Sequence, residues 1–429
     1  MTIKELHKLF LQYKAKICTD SRKIDKGCIF FALKGNKFDG NLFVKQALDN
    51  GAEIAIIDNK TYQIPGKTIL VKDTLQTLQS LARFHRLYLD IKIIAITGTA
   101  GKTTTKELIY QVIKKKFNSF ATQGNFNNHI GVPLSLLSLK PENEYAVIEM
   151  GASKPDEIWD LCQIALPNMG LITNIGTAHI EGFGSHQVLI RTKAGLYKFL
   201  EQNNGLIFQN LDDNLLISLT KYKKIYTYGS TTKANTIGKF LEQNPFVKYL
   251  FLGKNKKQYK VQTHLFGKYN FYNLLAATAI GQYLNIEEQL IAQALEEYNP
   301  QNNRSQIYNT KKNLLILDLY NANPTSMSKA IESFAQLNIK NKILILGDML
   351  ELGNIEEQEH KKILNLIEKL NFSEVYLIGE IFGKVNTKYT HFNNTEQMLA
   401  CLEKNPLINK TILLKGSRAI QLERLIKVL

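Results

Sequence analysis

Cysteine is scarce. The 429 residues hold four, Cys18, Cys28, Cys162 and Cys401, and none sits in a CxxC or other metal-ligand spacing. That sets aside a disulfide framework and a cysteine-ligated metal, and it suits a reducing compartment. No apolar run approaches the ~18 residues that a membrane-spanning helix needs. Residues 1–16 read as an amphipathic helix with apolar Ile3, Leu6, Leu9 and Phe10, with no signal-peptide core. A cytoplasmic protein with no membrane span is expected. Internal repeats and low-complexity linkers are missing too, so domain boundaries have to be read from changes of pattern. Acidic residues are few, 38 against 54 Lys plus Arg, for a net charge of +16. Such an excess suits an anionic partner. Runs such as Lys114–Lys116 and Lys254–Lys257 also read simply as solvated surface, and no basic groove interleaved with aromatics is visible.

What is present is an ordinary globular composition, 44% hydrophobic and 21% charged, which excludes disorder, collagen and coiled coil as the main state. At ~150 residues per domain the length suggests about three domains. Up to about residue 75, short strands (27–33, 53–57) surround a helix at 42–50. A helix at 75–89 leads into strand 92–97. Strand and helix then alternate: helix 102–115, strands 145–149 and 171–174. Near-continuous apolar strands between amphipathic helices point to a mostly parallel sheet covered on both faces. Residues 220–265 are short, polar and β-rich, which suggests an antiparallel excursion before a helix at 273–284. From Arg304 a second alternating block runs through strands 314–317, 342–346, 375–378 and 411–414 and helices 325–337, 357–370 and 395–404. It reads as a small Rossmann-like unit, whose ligands belong at the strand ends.

The strongest local signal is Ile96-Thr97-Gly98-Thr99-Ala100-Gly101-Lys102-Thr103-Thr104-Thr105, after a strand and at the start of a helix. Glycines let backbone amides approach a polyphosphate, and the helix N-terminus favours its charge. Lys102 would neutralise β/γ-phosphate oxygens and Thr103 would offer a hydroxyl to Mg²⁺. Two residues, not the usual four, separate Gly98 from Gly101-Lys102. Glu149 closes an apolar strand. It would serve Mg²⁺ if that strand neighbours the loop, and taken alone it fits a solvated strand-end acid equally well. His179, in the segment from Asn174 to Ser185, follows a third strand; a lone histidine is more often structural, but here it is a candidate metal or phosphate ligand. Lys193 has nothing special by spacing. Residues Gln123 to Pro133 are dense in amide side chains, which suit sugar and other uncharged polar groups or plain turns. Tyr320–Pro324, Gly347–Gly353 and Lys415–Arg418 each follow a strand of the last block, so together they look like one face of a site.

In order along the chain, Thr97–Glu107, the Gly-Asn-Phe-Asn-Asn-His-Ile-Gly-Val-Pro loop at 124–133, Glu149-Met-Gly151, Asn174–Ser185, Tyr320–Pro324, Leu346–Gly353 and Lys415–Arg418 resemble the Mur ligases. The resemblance spans nearly the whole chain. It implies an α/β protein of three domains: a small N-terminal α/β domain for a UDP-sugar (1–88), a central P-loop-type domain for ATP and Mg²⁺ (89–302), and a C-terminal Rossmann-like domain (303–429). It implies ATP-dependent amide formation between UDP-N-acetylmuramoyl-tripeptide and D-alanyl-D-alanine through an acyl phosphate, by a monomer. The implied ATP contacts are Gly98, Thr99, Ala100, Gly101, Lys102, Thr103, Thr104, Asn270, Asn273, Arg304, Asp318, Tyr320 and Asn321. Those for the UDP substrate are Ser21, Arg22, Phe31, Gly35, Gln123, Asn125, Asn127 and Asn128. Lys102, Glu149, His179 and Lys193 would be catalytic. Thr103, Glu149, His179 and Lys193 would hold two Mg²⁺, Lys193 as a carbamate. The chain departs from the family pattern at Tyr269 (usually His), Asn303 (usually Gly), Gly195 (commonly Glu) and Leu317–Asn321, which keeps one acid and loses a hydroxyl. The alternatives are a sister ligase that adds a single amino acid and, from +16, a nucleic-acid-binding P-loop ATPase.

Overall fold

The computed structural model describes residues 1–35, 38–176, 180–301 and 303–429, and all of these but Ile180 with side chains. Three larger sheets follow one another along the chain, besides the two-stranded pairing of Lys34–Gly35 with Phe38–Asp39. The first is four-stranded and parallel, in the order Ile17–Cys18, Ile29–Phe31, Ile54–Ile57, Thr68–Leu70. The N-terminal helix is shorter than the pattern suggests, Ile3–Gln12. Thr2 and Glu5 close a capping box at its start, and Lys14 and Ala15, both at positive φ, end it.

The central sheet has nine strands. Its parallel core runs Leu206–Asn210, Met169–Ile172, Lys92–Thr97, Tyr145–Glu149, Ser119–Ala121. Alternate residues of strand Lys92–Thr97 feed two separate clusters, because side chains in a strand alternate sides. Ile93 and Ala95 pack with Leu78, Leu81, Leu136 and Leu161; Ile94 and Ile96 pack with Leu108, Ile109, Leu274 and Ile291. Helices therefore cover both faces, and each such buried aliphatic contributes roughly 1.5–3 kcal/mol. The segment expected as an antiparallel excursion is a continuation of this sheet. Ile225–Gly229 pairs parallel with Leu206–Asn210, Thr236–Gln243 pairs parallel with Ile225–Gly229, and only from there does the sheet turn antiparallel, through Phe246–Leu252 and Gln258–Phe266.

The third sheet runs Gln306–Asn309, Leu314–Asp318, Thr411–Lys415, Lys342–Gly347, Val375–Ile378, Thr390–Phe392, parallel except at the first strand. Helix Glu380–Val385 and the two outer strands are additions to the expected elements. No helix among the described residues is long and apolar enough to cross a membrane.

Helix Thr74–Leu89 ties the first sheet to the second. Its Leu78, Leu81 and Ala82 share one cluster with Phe10, Phe31 and Ile56 on one side and Ile93 and Ile148 on the other. A buried histidine relay reinforces the joint. His85 Nε2 donates to the Leu139 carbonyl (3.1 Å), so its Nδ1 accepts from His7 Nε2 (3.0 Å). Burial favours the neutral form of both rings. Burial pushes His7 down to about 4, and burial lowers His85 as well. The unfolded chain binds protons near 6.5, so this stability is complete above that pH and is lost as pH falls below it, at up to about 1.4 kcal/mol per pH unit for His7, with His85 adding in the same direction. Denaturation followed from pH 7 to pH 4.5 should show that slope; a flat profile would contradict a neutral pair.

Candidate active site

The phosphate-loop segment folds as its residue types require. Gly98 has φ 144° and Gly101 φ 79°, both disfavoured for side-chain-bearing residues. A Cβ on Gly98 would lie 2.0 Å from Thr173 Oγ1, and one on Gly101 2.8 Å from Asn273 Oδ1. Gly101 caps helix Lys102–Ile113, so free amides and a positive helix end face the same side. The next strand end holds the loop. The Asn174 carbonyl accepts from Thr99 N–H (2.9 Å), its Oδ1 accepts from Ala100 N–H (3.1 Å), and Thr173 Oγ1 and Asn174 Nδ2 both donate to the Ala100 carbonyl (2.7 and 2.9 Å). Thr173 and Asn174 carry this support without having been read as site residues. Only their place at a strand end marked them.

Lys102 is half-buried, and its ammonium donates to the Gly98 and Thr99 carbonyls (2.9 and 3.3 Å). Burial pushes it below the ordinary lysine value; Glu149 opposes the shift and Arg304 adds to it. Glu149 lies opposite Ile96 in the neighbouring strand, which meets the condition its reading required. It is 1% exposed. Its Oε2 accepts from Thr103 Oγ1 (2.8 Å) and its Oε1 from Asn127 Nδ2 (2.7 Å). No ion pair joins Glu149 to another described residue. A buried carboxylate held only by neutral donors favours a cation beside it. The hard oxygens of Glu149 and Thr103 suit Mg²⁺, which keeps several waters and phosphate oxygens and so needs few protein ligands.

These groups line a cavity of about 610 Å³, and the third sheet supplies its opposite wall. Thr99 to Thr104, Asn125, Asn127, Asn128, Glu149, Asn270 and Asn273 face Arg304, Asp318, Tyr320 and Asn321 across it. The Arg304 guanidinium stacks on the Tyr320 ring, 3.3 Å from its centroid. Asp318 is paired with the buried Lys415 ammonium at 2.5 Å. Asn270 uses both amide hydrogens on the Phe266 carbonyl and Ser305 Oγ and accepts from Asn273 Nδ2 (2.8 Å). The two other loops of the last block are tied together. Ser417 Oγ accepts from Leu350 N–H (2.9 Å), and Ser417 N–H donates to the Asp348 carbonyl (3.1 Å).

The comparisons with known proteins agree along the length of the chain. Three family models match in series: "Mur ligase family, catalytic domain" over residues 15–86, "Mur ligase middle domain" over 96–281 and "Mur ligase, glutamate ligase domain" over 303–418. The UDP-N-acetylmuramoyl-tripeptide–D-alanyl-D-alanine ligase of Bacillus subtilis (strain 168) is 33% identical over 424 residues, 96% of this chain and 92% of that protein. This chain belongs to the Mur ligase family. Among solved structures, MurF from Acinetobacter baumannii superposes with a TM-score of 0.86 at 30% identity, covering 96% of this chain and 92% of that one. MurF from Thermotoga maritima in complex with ADP gives 0.85 at 26% identity, covering 96% of each.

The departures of this Mur ligase from the family pattern have local explanations. Asn303 has φ 55°, a conformation glycine adopts freely and asparagine tolerates best among the others. Tyr269 shares a 2.9 Å hydrogen bond between its hydroxyl and Ser305 Oγ, beside Arg304. Gly195 packs within 3.3–3.7 Å of Trp159, measured from an added Cβ, so a larger residue would need Trp159 to shift.

The remaining candidates are dispersed. Lys193, on helix His186–Gln202, is buried and does not line the cavity. Its ammonium lies 5.9 Å from the Phe183 ring centroid and makes no hydrogen bond to another described residue. Burial holds it well below the ordinary lysine value, Lys102 adds to the shift and Glu157 opposes it. His179 lies outside the described residues. Ser21 donates to Gln46 Oε1 (3.3 Å); Arg22 is exposed and pairs with Asp20; Gly35 is exposed in the hairpin of Lys34–Gly35 with Phe38–Asp39. The Phe31 ring is wholly buried in the core, which leaves only its backbone to meet a ligand. Gln123 is exposed and lies outside the linings of the large cavity and of the smaller one at Phe126. A second cavity of about 270 Å³ lies between Cys18, Thr19, Asp20 and Phe126. Phe126 faces it, while Asn125 and Asn127 on either side face the large cavity, so one loop borders both.

Proposed function

We propose that this chain joins D-alanyl-D-alanine to UDP-N-acetylmuramoyl-tripeptide at the expense of ATP, the reaction its relatives are named for. The observation that carries the reading is the convergence of the phosphate loop, Glu149 and the strand-end loops of the third sheet on one cavity. The ADP found in a related structure supports a nucleotide there. Residues 1–88 would take the UDP-sugar end, through Ser21, Arg22, Gly35 and the loop Gln123–Asn128 beside the smaller cavity. Residues 89–302 would take the polyphosphate, and 303–429 the dipeptide with part of ATP.

A carboxylate and an amine do not condense at neutral pH. The tripeptide's terminal carboxylate attacks the γ-phosphorus, forming an acyl phosphate and releasing ADP. The dipeptide amine then attacks the acyl carbon, an amide forms, inorganic phosphate leaves, and the amine's proton passes to solvent. Lys102 and the amides of Gly98–Thr103 stabilise charge on the transferring phosphoryl oxygens. Asn270, Asn273, Arg304, Asp318, Tyr320 and Asn321 orient the nucleotide. Thr103 and Glu149 would hold one Mg²⁺, and His179 with Lys193 would complete a second site. When bound, these ions supply positive charge beside the phosphates. Lys193 would act as a carbamate, its neutral amine adding CO₂ with loss of a proton; its depressed pKa and lack of a described hydrogen-bond partner favour that amine form. One chain supplies both walls of the cavity, which supports a monomer, and four unpaired thiols suit the cytoplasm.

The test is substrate replacement. With ATP, Mg²⁺ and the UDP-linked tripeptide, phosphate release should depend on D-alanyl-D-alanine, and the product should gain the dipeptide's mass less water. Equal turnover with glutamate or a diamino acid in place of the dipeptide would favour the sister ligases instead.

A further inference from the structure

Strand Ser119–Ala121 runs parallel to Tyr145–Glu149, with Ala121 opposite Val147. A regular ladder would continue by pairing Thr122 with Ile148. The Thr122 N–H would donate to Val147, and the Thr122 carbonyl would accept from Glu149 N–H. The first bond is made, at 3.0 Å. The second is replaced. Glu149 N–H donates to the Thr122 hydroxyl (3.1 Å), and the Thr122 carbonyl accepts from the Lys106 ammonium (2.5 Å).

Lys106 is 1% exposed, and its other partner is the Glu107 carboxylate at 2.8 Å. It stands on the phosphate-loop helix, three residues after Thr103 and so on the same face. A lysine this deeply buried costs stability unless its partners are well placed. At Thr122 the chain leaves the sheet, and residues 123–128 cross to Glu149. There Asn127 donates to Oε1, and its carbonyl accepts from Gly151 N–H (2.7 Å). The Glu149 backbone is thus held by Thr122, one carboxylate oxygen by Thr103 and the other by Asn127. Two of these three contacts depend on where the strand stops.

We propose that Lys106 is a positioning residue: by taking the Thr122 carbonyl it ends the ladder and aims the Asn125–Asn128 loop and the Glu149 carboxylate into the nucleotide cavity. It touches no substrate and acts through Thr122. The inference deepens the ligase reading and rests on its Mg²⁺–nucleotide site.

Two readouts on the full-length Lys106→Met variant test it. Hydrogen exchange, measured without metal or nucleotide, should be at least 10-fold faster across residues 122–130 and unchanged across helix Lys102–Ile113. The Mg²⁺-dependent gain in ADP affinity, from calorimetry with and without Mg²⁺, should fall at least 10-fold, while ADP alone binds within twofold of wild type. A merely structural lysine would weaken both affinities together and leave their ratio untouched. Unchanged exchange at 122–130 with an unchanged Mg²⁺ gain overturns the proposal. If Lys106→Met melts too low to study, Lys106→Gln, whose neutral amide stops one atom short of the lysine nitrogen and so loosens its hold on the Thr122 carbonyl, carries the same readouts with smaller shifts, and unchanged values there overturn the proposal as well. A wild-type chain with no Mg²⁺-dependent gain in ADP affinity would instead overturn the ligase reading beneath it.

Discussion

Lys102→Ala should lower dipeptide-dependent phosphate release by about 10³-fold, the upper range for removing one preorganised group that stabilises transition-state charge. The fold should survive. Among the described residues the ammonium's hydrogen bonds go only to the Gly98 and Thr99 carbonyls at the cavity wall, and water replaces it there. The loop itself is held by Thr173 and Asn174 rather than by Lys102. Lys102→Arg should restore little, because a planar fork does not occupy the place of a compact ammonium. Initial rates of phosphate release with a thermal melt check both statements. Normal turnover in a folded Lys102→Ala protein would remove the phosphate-loop assignment.

Lys193→Ala should lower the rate by 10- to 100-fold, the usual scale for groups that orient a metal site, and short carboxylates such as acetate or formate should restore part of it. Truncation opens space under the Phe183 ring, where the ammonium now lies, and a small anion there would replace the lost carbamate. Burial of Lys193 and the repulsion from Lys102 both favour the neutral amine, the form that would add CO₂. Rates across a carboxylate titration, with chloride as the control anion, supply the measurement. Full activity without any added carboxylate would argue against carbamylation.

How much of this was legible in the sequence varied with how local the cause was. Strand Lys92–Thr97 and its loop were readable because apolar run, glycines and helix start sit side by side in the chain. The alternation that sends Ile93 and Ile94 to opposite faces is equally local. Pairing is not. Ile225–Gly229 and Thr236–Gln243 looked like an excursion because each is short and partly polar, yet their parallel neighbours place them in the central sheet. Phe31 shows the same limit inside a motif: every residue of strand Ile29–Phe31 is buried, so the pattern alone does not show that this ring joins the core. Glu149 could be placed at a strand end, whereas its contacts with Thr103 and Asn127 span 46 and 22 residues of chain. Asn303 looked like a loss of glycine until its positive φ showed what the position demands. Lys106 lay inside the Thr97–Glu107 segment but was given no role there, because its importance lies in a ladder bond that is not made.

One chemical event underlies the proposed reaction, activation of a carboxylate by phosphoryl transfer in the cavity behind Gly98–Thr103. Isotope transfer tests it most directly. UDP-N-acetylmuramoyl-tripeptide labelled with ¹⁸O in its terminal carboxylate, turned over with ATP, Mg²⁺ and D-alanyl-D-alanine, should yield inorganic phosphate carrying one ¹⁸O atom for each amide formed. Phosphate free of ¹⁸O, formed alongside the amide, would contradict it.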